Sequence, residues 1–143
     1  MSAFTLWVSG LFNPVQITAI FSEIATNILS SKPTFLYQSA NVGTVLGEFS
    51  YGYPILPLEA QEKINKRKNV GVAGFGELAV FVAKHPRLVP SGRIFALGNT
   101  FRSAGGEECF IYVERLSGGK FRLGSIFASE YIGKDDRCLL TQG

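Results

Sequence analysis

Over the last third of the chain, apolar residues recur with the short period of extended strands. Three runs, Arg93 to Phe101 (RIFALGNTF), Glu108 to Leu116 (ECFIYVERL) and Lys120 to Ala128 (KFRLGSIFA), are dense in Phe, Ile, Val and Tyr and are parted by turn residues. Ser103, Ala104, Gly105 and Gly106 separate the first two runs, and Ser117, Gly118 and Gly119 separate the last two. The pattern predicts an antiparallel meander whose second connection is a tight Gly-Gly hairpin with a well-fixed register.

Upstream the period changes. Phe4 to Leu11 alternates Phe4, Leu6 and Val8 with Thr5, Trp7 and Ser9, as a half-buried strand does. Asn13, Pro14 and Gln16 then supply an N-cap, a first-turn proline and a capping-box partner. Ile17, Ile20, Phe21, Ile24 and Ile28 follow at helical spacing, which predicts one continuous helix ended by Pro33. Its opposite face, with Thr18, Ser22, Thr26 and Asn27, has Glu23 as its only charge, fewer than a freely solvated helix usually carries, and this points to a contact there.

Pro33 to Ser39 and Thr44 to Tyr51 read as two further strands joined into a hairpin through Ala40 to Gly43. After the corner Pro54 to Pro57, Leu58 to Lys68 reads as a short exposed helix, with Glu59 and Lys63, and Glu62 and Lys66, at i,i+4. Asn69 to Gly76 is a Gly-rich connection. Glu77 to Lys84 (ELAVFVAK) is apolar all round, a buried element for which helix is preferred over strand. Residues 131–143 read as a polar, partly loose tail.

This order predicts a single α+β domain over residues 1–143. It implies an antiparallel sheet of about five to six strands with helices on one face, in ferredoxin-like split βαβ order with a C-terminal meander. A curved sheet wrapped around the first helix is the alternative.

Composition adjusts this picture in two ways. At 143 residues the chain can bury a substantial core without disulfides or a structural metal. Apolar residues make up 46% and charged residues only 17%, a balance that points to extensive burial or a surface shared with a partner, and hence to a homo-oligomer. The apolar runs are too short to span a bilayer, and the start lacks the basic region and cleavage site of a signal peptide. Two cysteines, Cys109 and Cys138, without a CxxC pair fit a reduced, cytoplasmic protein. The net charge of +3 is uneven: residues 59–102 hold eight bases against three acids, while both flanks carry slightly more acid than base.

Candidate chemistry is sparse. Gly71, Gly74 and Gly76 (GVAGFG) precede a helix start, but the spacing is neither a dinucleotide fingerprint nor a P-loop, and a packed linker is the plainer reading. His85 is the only histidine, and its place before Pro86 suits a capping residue better than a catalytic base. Cys109 alternates with Ile111 and Val113, as a buried inert thiol would. No hydrolase motif, metal-ligand spacing or cofactor signature is present.

Two surfaces remain. Trp7, Tyr37, Phe110, Tyr112 and Arg122, if placed on an uncovered sheet face, would form an amphipathic surface for an apolar ligand, a protein partner or a second copy of the chain. Lys63, Lys66, Arg67 and Lys68 would make phosphate contacts in a nucleic-acid binder, although Glu59 and Glu62 offset part of that charge. The sequence therefore favours a non-enzymatic binding module that uses an aromatic sheet face or the first helix. A nucleic-acid binder using residues 63–68 is the alternative, and an enzyme using His85 the next.

Overall fold

The computed structural model describes residues 10–14, 17–42 and 45–142. In chain order the first half holds β1 (Gly10–Phe12), α1 (Ile17–Ile20), β2 (Glu23–Ile24), α2 (Thr26–Ser31), β3 (Ala40–Val42), β4 (Val45–Phe49) and α3 (Pro57–Asn65). The second half holds β5 (Val70–Val72), α4 (Phe75–Lys84), β6 (Arg93–Arg102), β7 (Glu108–Arg115), β8 (Phe121–Phe127) and β9 (Arg137–Gln142). The fold is α+β. One sheet runs in the order β2-β8-β7-β6-β9-β4, with β5 also joined to β9, and β1 and β3 form a separate antiparallel pair.

The meander β6-β7-β8 forms where the apolar runs place it. β7 and β8 pair without interruption from Cys109 opposite Phe127 to Arg115 opposite Phe121. Their turn takes Gly118 and Gly119 to φ of 76° and 72°, a left-handed conformation open to glycine without a Cβ clash.

The rest of the sheet departs from the expected one. It is mixed: β2 lies parallel to β8, and β6 parallel to β9. Helices cover both faces, because Cys109 to Val113 of β7 are buried without a break and a strand with no polar alternation must be covered twice. Cys109, Ile111 and Val113 meet α4 residues Leu78, Phe81 and Val82, together with Ile17, Phe21 and Ile28. Phe110 and Tyr112 face the other way, into a second core with Phe95, Ala60 and Ile64 of α3, Ile55 and Ile132.

The segment after Tyr131 is no loose tail. Its apolar triplet Cys138, Leu139 and Leu140 is buried, and β9 lies inside the sheet. β4 pairs along one edge of β9, while the other edge is shared by β6 at Arg137 and Cys138 and by β5 from Leu140 to Gln142.

The continuous first helix divides in two. The Ser22 N–H donates to the Phe121 carbonyl at 2.9 Å and the Ala25 N–H to that of Leu123 at 2.9 Å, so the chain opens between α1 and α2 to pair the outer edge of β8. The apolar stripe still faces the core, with Ile17, Phe21 and Ile28 buried and Ile20 and Ile24 packed against them. The hairpin expected from residues 33–51 is replaced as well: Thr34–Leu36 is a 3-10 turn, β3 pairs with β1, and β4 pairs with β9. These changes remove the simple ferredoxin-like order. The Phe4 to Leu11 strand, with Trp7, and the Gln16 capping partner fall outside the described residues, apart from Gly10 and Leu11 in β1. α3 and α4 stand as helices near their expected positions.

A bulge in β6 joins these layers. Pairing with β7 jumps from Ala96 opposite Ile111 to Thr100 opposite Phe110, which leaves Leu97, Gly98 and Asn99 without partners in β7. All three are used elsewhere. Gln61 of α3 donates its Nε2–H to the Leu97 carbonyl at 2.8 Å, and the Gly98 N–H donates to the Ala73 carbonyl at 2.8 Å. Asn99 Oδ1 accepts the Phe75 N–H at the start of α4 at 2.6 Å.

A Cβ at position 98 would stand 2.8 Å from the Ala73 carbonyl oxygen and 3.0 Å from the Gly74 nitrogen, both backbone atoms that cannot swing aside. Gly98→Ala should therefore cost about 1–3 kcal/mol of stability by overpacking, read as a lower urea midpoint at unchanged slope. A loss below about 0.5 kcal/mol would show that the junction spreads freely.

Candidate functional site

The aromatic residues singled out by sequence do not gather on one open surface. Phe110, Tyr112 and Arg122 do share a sheet face, and the Tyr112 hydroxyl accepts a hydrogen bond from Arg122 Nη1 at 3.1 Å. That face is covered, however, leaving Phe110 0% and Tyr112 8% exposed. Tyr37 is 56% exposed but follows the 3-10 turn, away from the sheet, and Trp7 lies outside the described residues.

What seals this face is a charged clamp. Asp136 accepts two bonds from the Arg93 guanidinium, at 3.0 and 2.6 Å, together with the Arg93 N–H at 3.1 Å and the Gly133 N–H at 2.8 Å. The guanidinium in turn lies 5.1 Å from the centre of the Phe95 ring and 5.2 Å from that of Tyr112. Burial alone would push the Asp136 carboxyl up, but the Arg93 and Gly133 hydrogen bonds outweigh it and hold the pKa below its ordinary 3.8. Each of its bonds closes within the protein, so the clamp is structural.

The Gly-rich connection is likewise occupied. The Phe75 N–H is bonded to Asn99, and the N–H of the N-cap Gly74 donates to Glu77 Oε1 at 3.4 Å, so two amides at the start of α4 already have acceptors from the chain. His85 ends α4, its N–H donating to the Phe81 carbonyl at 2.9 Å and its ring 6.5 Å from that of Phe81. Both thiols are buried: burial raises the pKa of Cys109 and pushes that of Cys138 to about 12, which keeps the latter protonated and unreactive at neutral pH. Among the described residues, no group of three or more His, Cys, Asp or Glu is placed to hold a metal ion, and no helix is long and apolar enough to cross a membrane.

The basic segment is exposed and acquires aromatic neighbours. Lys63 donates to the Tyr53 hydroxyl at 3.2 Å, and its ammonium lies 5.8 Å from the centre of that ring. The bond to Tyr53 raises the Lys63 pKa. Lys66 pairs with Glu62 at 3.2 Å, as the i,i+4 spacing implies, and Arg67 and Lys68 follow on the surface.

A concavity lies on the opposite side of the sheet. Between α1, the end of α4 and the β7–β8 turn runs a cleft of about 440 Å³. Ile20, Val82, Ala83, Pro86 and Phe121 give it apolar walls, and Thr18, Ser22 and Lys120 bring polar groups to its lining. Ser22 is fixed there by a hydroxyl bond to the Phe121 carbonyl at 3.3 Å. Sequence reasoning singled out only the Thr18 and Ser22 side, through the low charge of the first helix. The other walls come from residues about 60 to 100 positions away, which no local pattern connects.

No family model matches the chain, and no curated protein or solved structure matches it.

The clamp generates a pH-dependent prediction. A carboxyl held below its unfolded pKa contributes stability that is fully present above about pH 4 and is lost as pH falls through the folded value. Asp136→Asn should cost about 2–3 kcal/mol at pH 7, the worth of hydrogen bonds to a charged group. The gap to the unmodified chain should narrow as unfolding is repeated toward pH 3. A gap constant across that range would mean that Asp136 acts through its shape rather than its charge.

Proposed function

We propose that this chain is a binding protein whose cleft beside the first helix receives a small, mainly apolar ligand with a polar or anionic end. One observation carries the reading: a concavity of about 440 Å³ with an apolar floor and a few polar groups, within the range typical of small-molecule sites. The apolar walls favour a hydrocarbon or aromatic body. Lys120 and the Thr18 hydroxyl favour an acidic or hydrogen-bonding terminus. The low charge of the first helix supports the same reading, because α1 borders the cleft that the ligand would fill.

The reading transfers the ligand surface from the aromatic sheet face to the first helix. Phe110 and Tyr112 then serve as core, and their apolar area is already used in folding.

The test is a fluorescence titration with 1-anilinonaphthalene-8-sulfonate, an apolar anion, backed by amide chemical-shift mapping. The probe should saturate at one site and shift the amides of α1, residues 82–86 and 119–121. Ala83→Trp, a surface position on the wall, should weaken binding about tenfold or more while leaving the melting temperature within a few degrees. Lys120→Glu should weaken it several-fold by placing like charge at the anionic end. Binding that ignores both substitutions would remove the cleft as the site.

A further inference from the structure

We propose that the end of α3, together with Tyr51 and Tyr53, is a docking surface for single-stranded nucleic acid. α3 packs into the core on one sheet face whereas α1 and α4 pack into the other, so this surface and the cleft are separate and neither reading depends on the other.

The aromatic part is built before any ligand arrives. Tyr51 is held by its hydroxyl, which donates to the Ala60 carbonyl of α3 at 3.4 Å. Tyr53 stands edge-on to it, with ring centres 5.8 Å apart, and remains 46% exposed. Lys63 is tethered to the Tyr53 hydroxyl, so a cation and an accessible ring are presented together.

The charged part continues the chain beyond α3. Lys66, Arg67 and Lys68 are exposed directly after α3. Lys134 joins from the β8–β9 connection, where its carbonyl accepts the Ser50 hydroxyl at 2.9 Å beside Tyr51. Glu62 offsets Lys66, and Glu59 and Asp135 are acids in the same segments, so among these named residues five bases stand against three acids.

A phosphodiester strand supplies what both parts take: phosphates for the ammonium and guanidinium groups, and a base with a free π-face for Tyr53. A duplex hides those faces in its own stack. A helix entering a groove also leads with its N-terminal residues, where α3 carries Glu59. The chemistry therefore selects a single strand.

The test uses the full chain and fluorescein-labelled oligo-dT and oligo-U about twenty nucleotides long, with a labelled duplex alongside, in anisotropy titrations from about 20 to 200 mM salt. Single strands should bind more tightly than duplex. Tyr53→Ala should weaken them at least about fivefold, the loss of one stacked base. Lys66→Gln with Lys68→Gln should flatten the salt dependence by about 0.7 per lysine removed. These side chains are exposed, and circular dichroism with thermal melting of each variant confirms that any loss is not unfolding.

Three outcomes overturn the proposal. One is absence of binding at the lowest salt. Another is equal binding of strand and duplex that Tyr53→Ala leaves unchanged, since charge alone would explain it. The third is self-association of the chain, abolished by Tyr53→Ala without any nucleic-acid binding, which would assign the surface to a second copy.

Discussion

The bulge at Leu97, Gly98 and Asn99 is the point on which the layers depend. A regular β6 would give its backbone groups only to the strands beside it, β7 and β9. By leaving that ladder for three residues, it offers a carbonyl to α3, an N–H to the β5–α4 link and a side-chain oxygen to the first turn of α4. Helices on opposite sheet faces are thus fixed to one strand, and glycine is needed there because the Ala73 backbone passes within 3 Å of any side chain.

From that junction the two faces acquire different characters. One is closed by α4 and the divided first helix, and the division leaves a cleft where α1 meets α4 and the β7–β8 turn. The other is closed by α3 and the β8–β9 connection, held down by the Arg93–Asp136 clamp over Phe95 and Tyr112. Closing the second face buries the aromatic residues that would otherwise invite a ligand, packs Tyr51 partly against this core, and leaves Tyr53 and the basic end of α3 exposed. The chain therefore has an apolar cleft on one side and exposed basic side chains beside Tyr53 on the other. The two differ in chemistry because different elements complete each cover.

Much of the local structure was legible. The meander, the Gly-Gly turn and α3 with its Glu62–Lys66 pair follow from patterns within a few residues of one another, whereas residues 77–84, apolar all round, show a buried element for which helix is only the preferred type. Cys109 lies buried between Phe127 and Phe101 on neighbouring strands, on the face its alternation with Ile111 and Val113 implied. The errors have a common cause. The polar flanks of β9 read locally as a tail, and the periodic stripe of the first helix reads as unbroken. In each case a long-range partner overrides the local signal: β6, β4 and β5 draw Cys138 to Leu140 into the sheet, and the edge of β8 opens the helix at Ser22.

By itself, then, the sequence determined the three strands of the meander, the turns between them and the helix that follows Pro57, because these properties reside in neighbouring side chains. Only the tertiary structure decided which face each helix covers, that Phe110 and Tyr112 are core rather than surface, and that Ile20, Val82 and Phe121 meet around a cleft. Those outcomes turn on contacts between residues tens of positions apart, selected by burial and by the need to pair every strand edge.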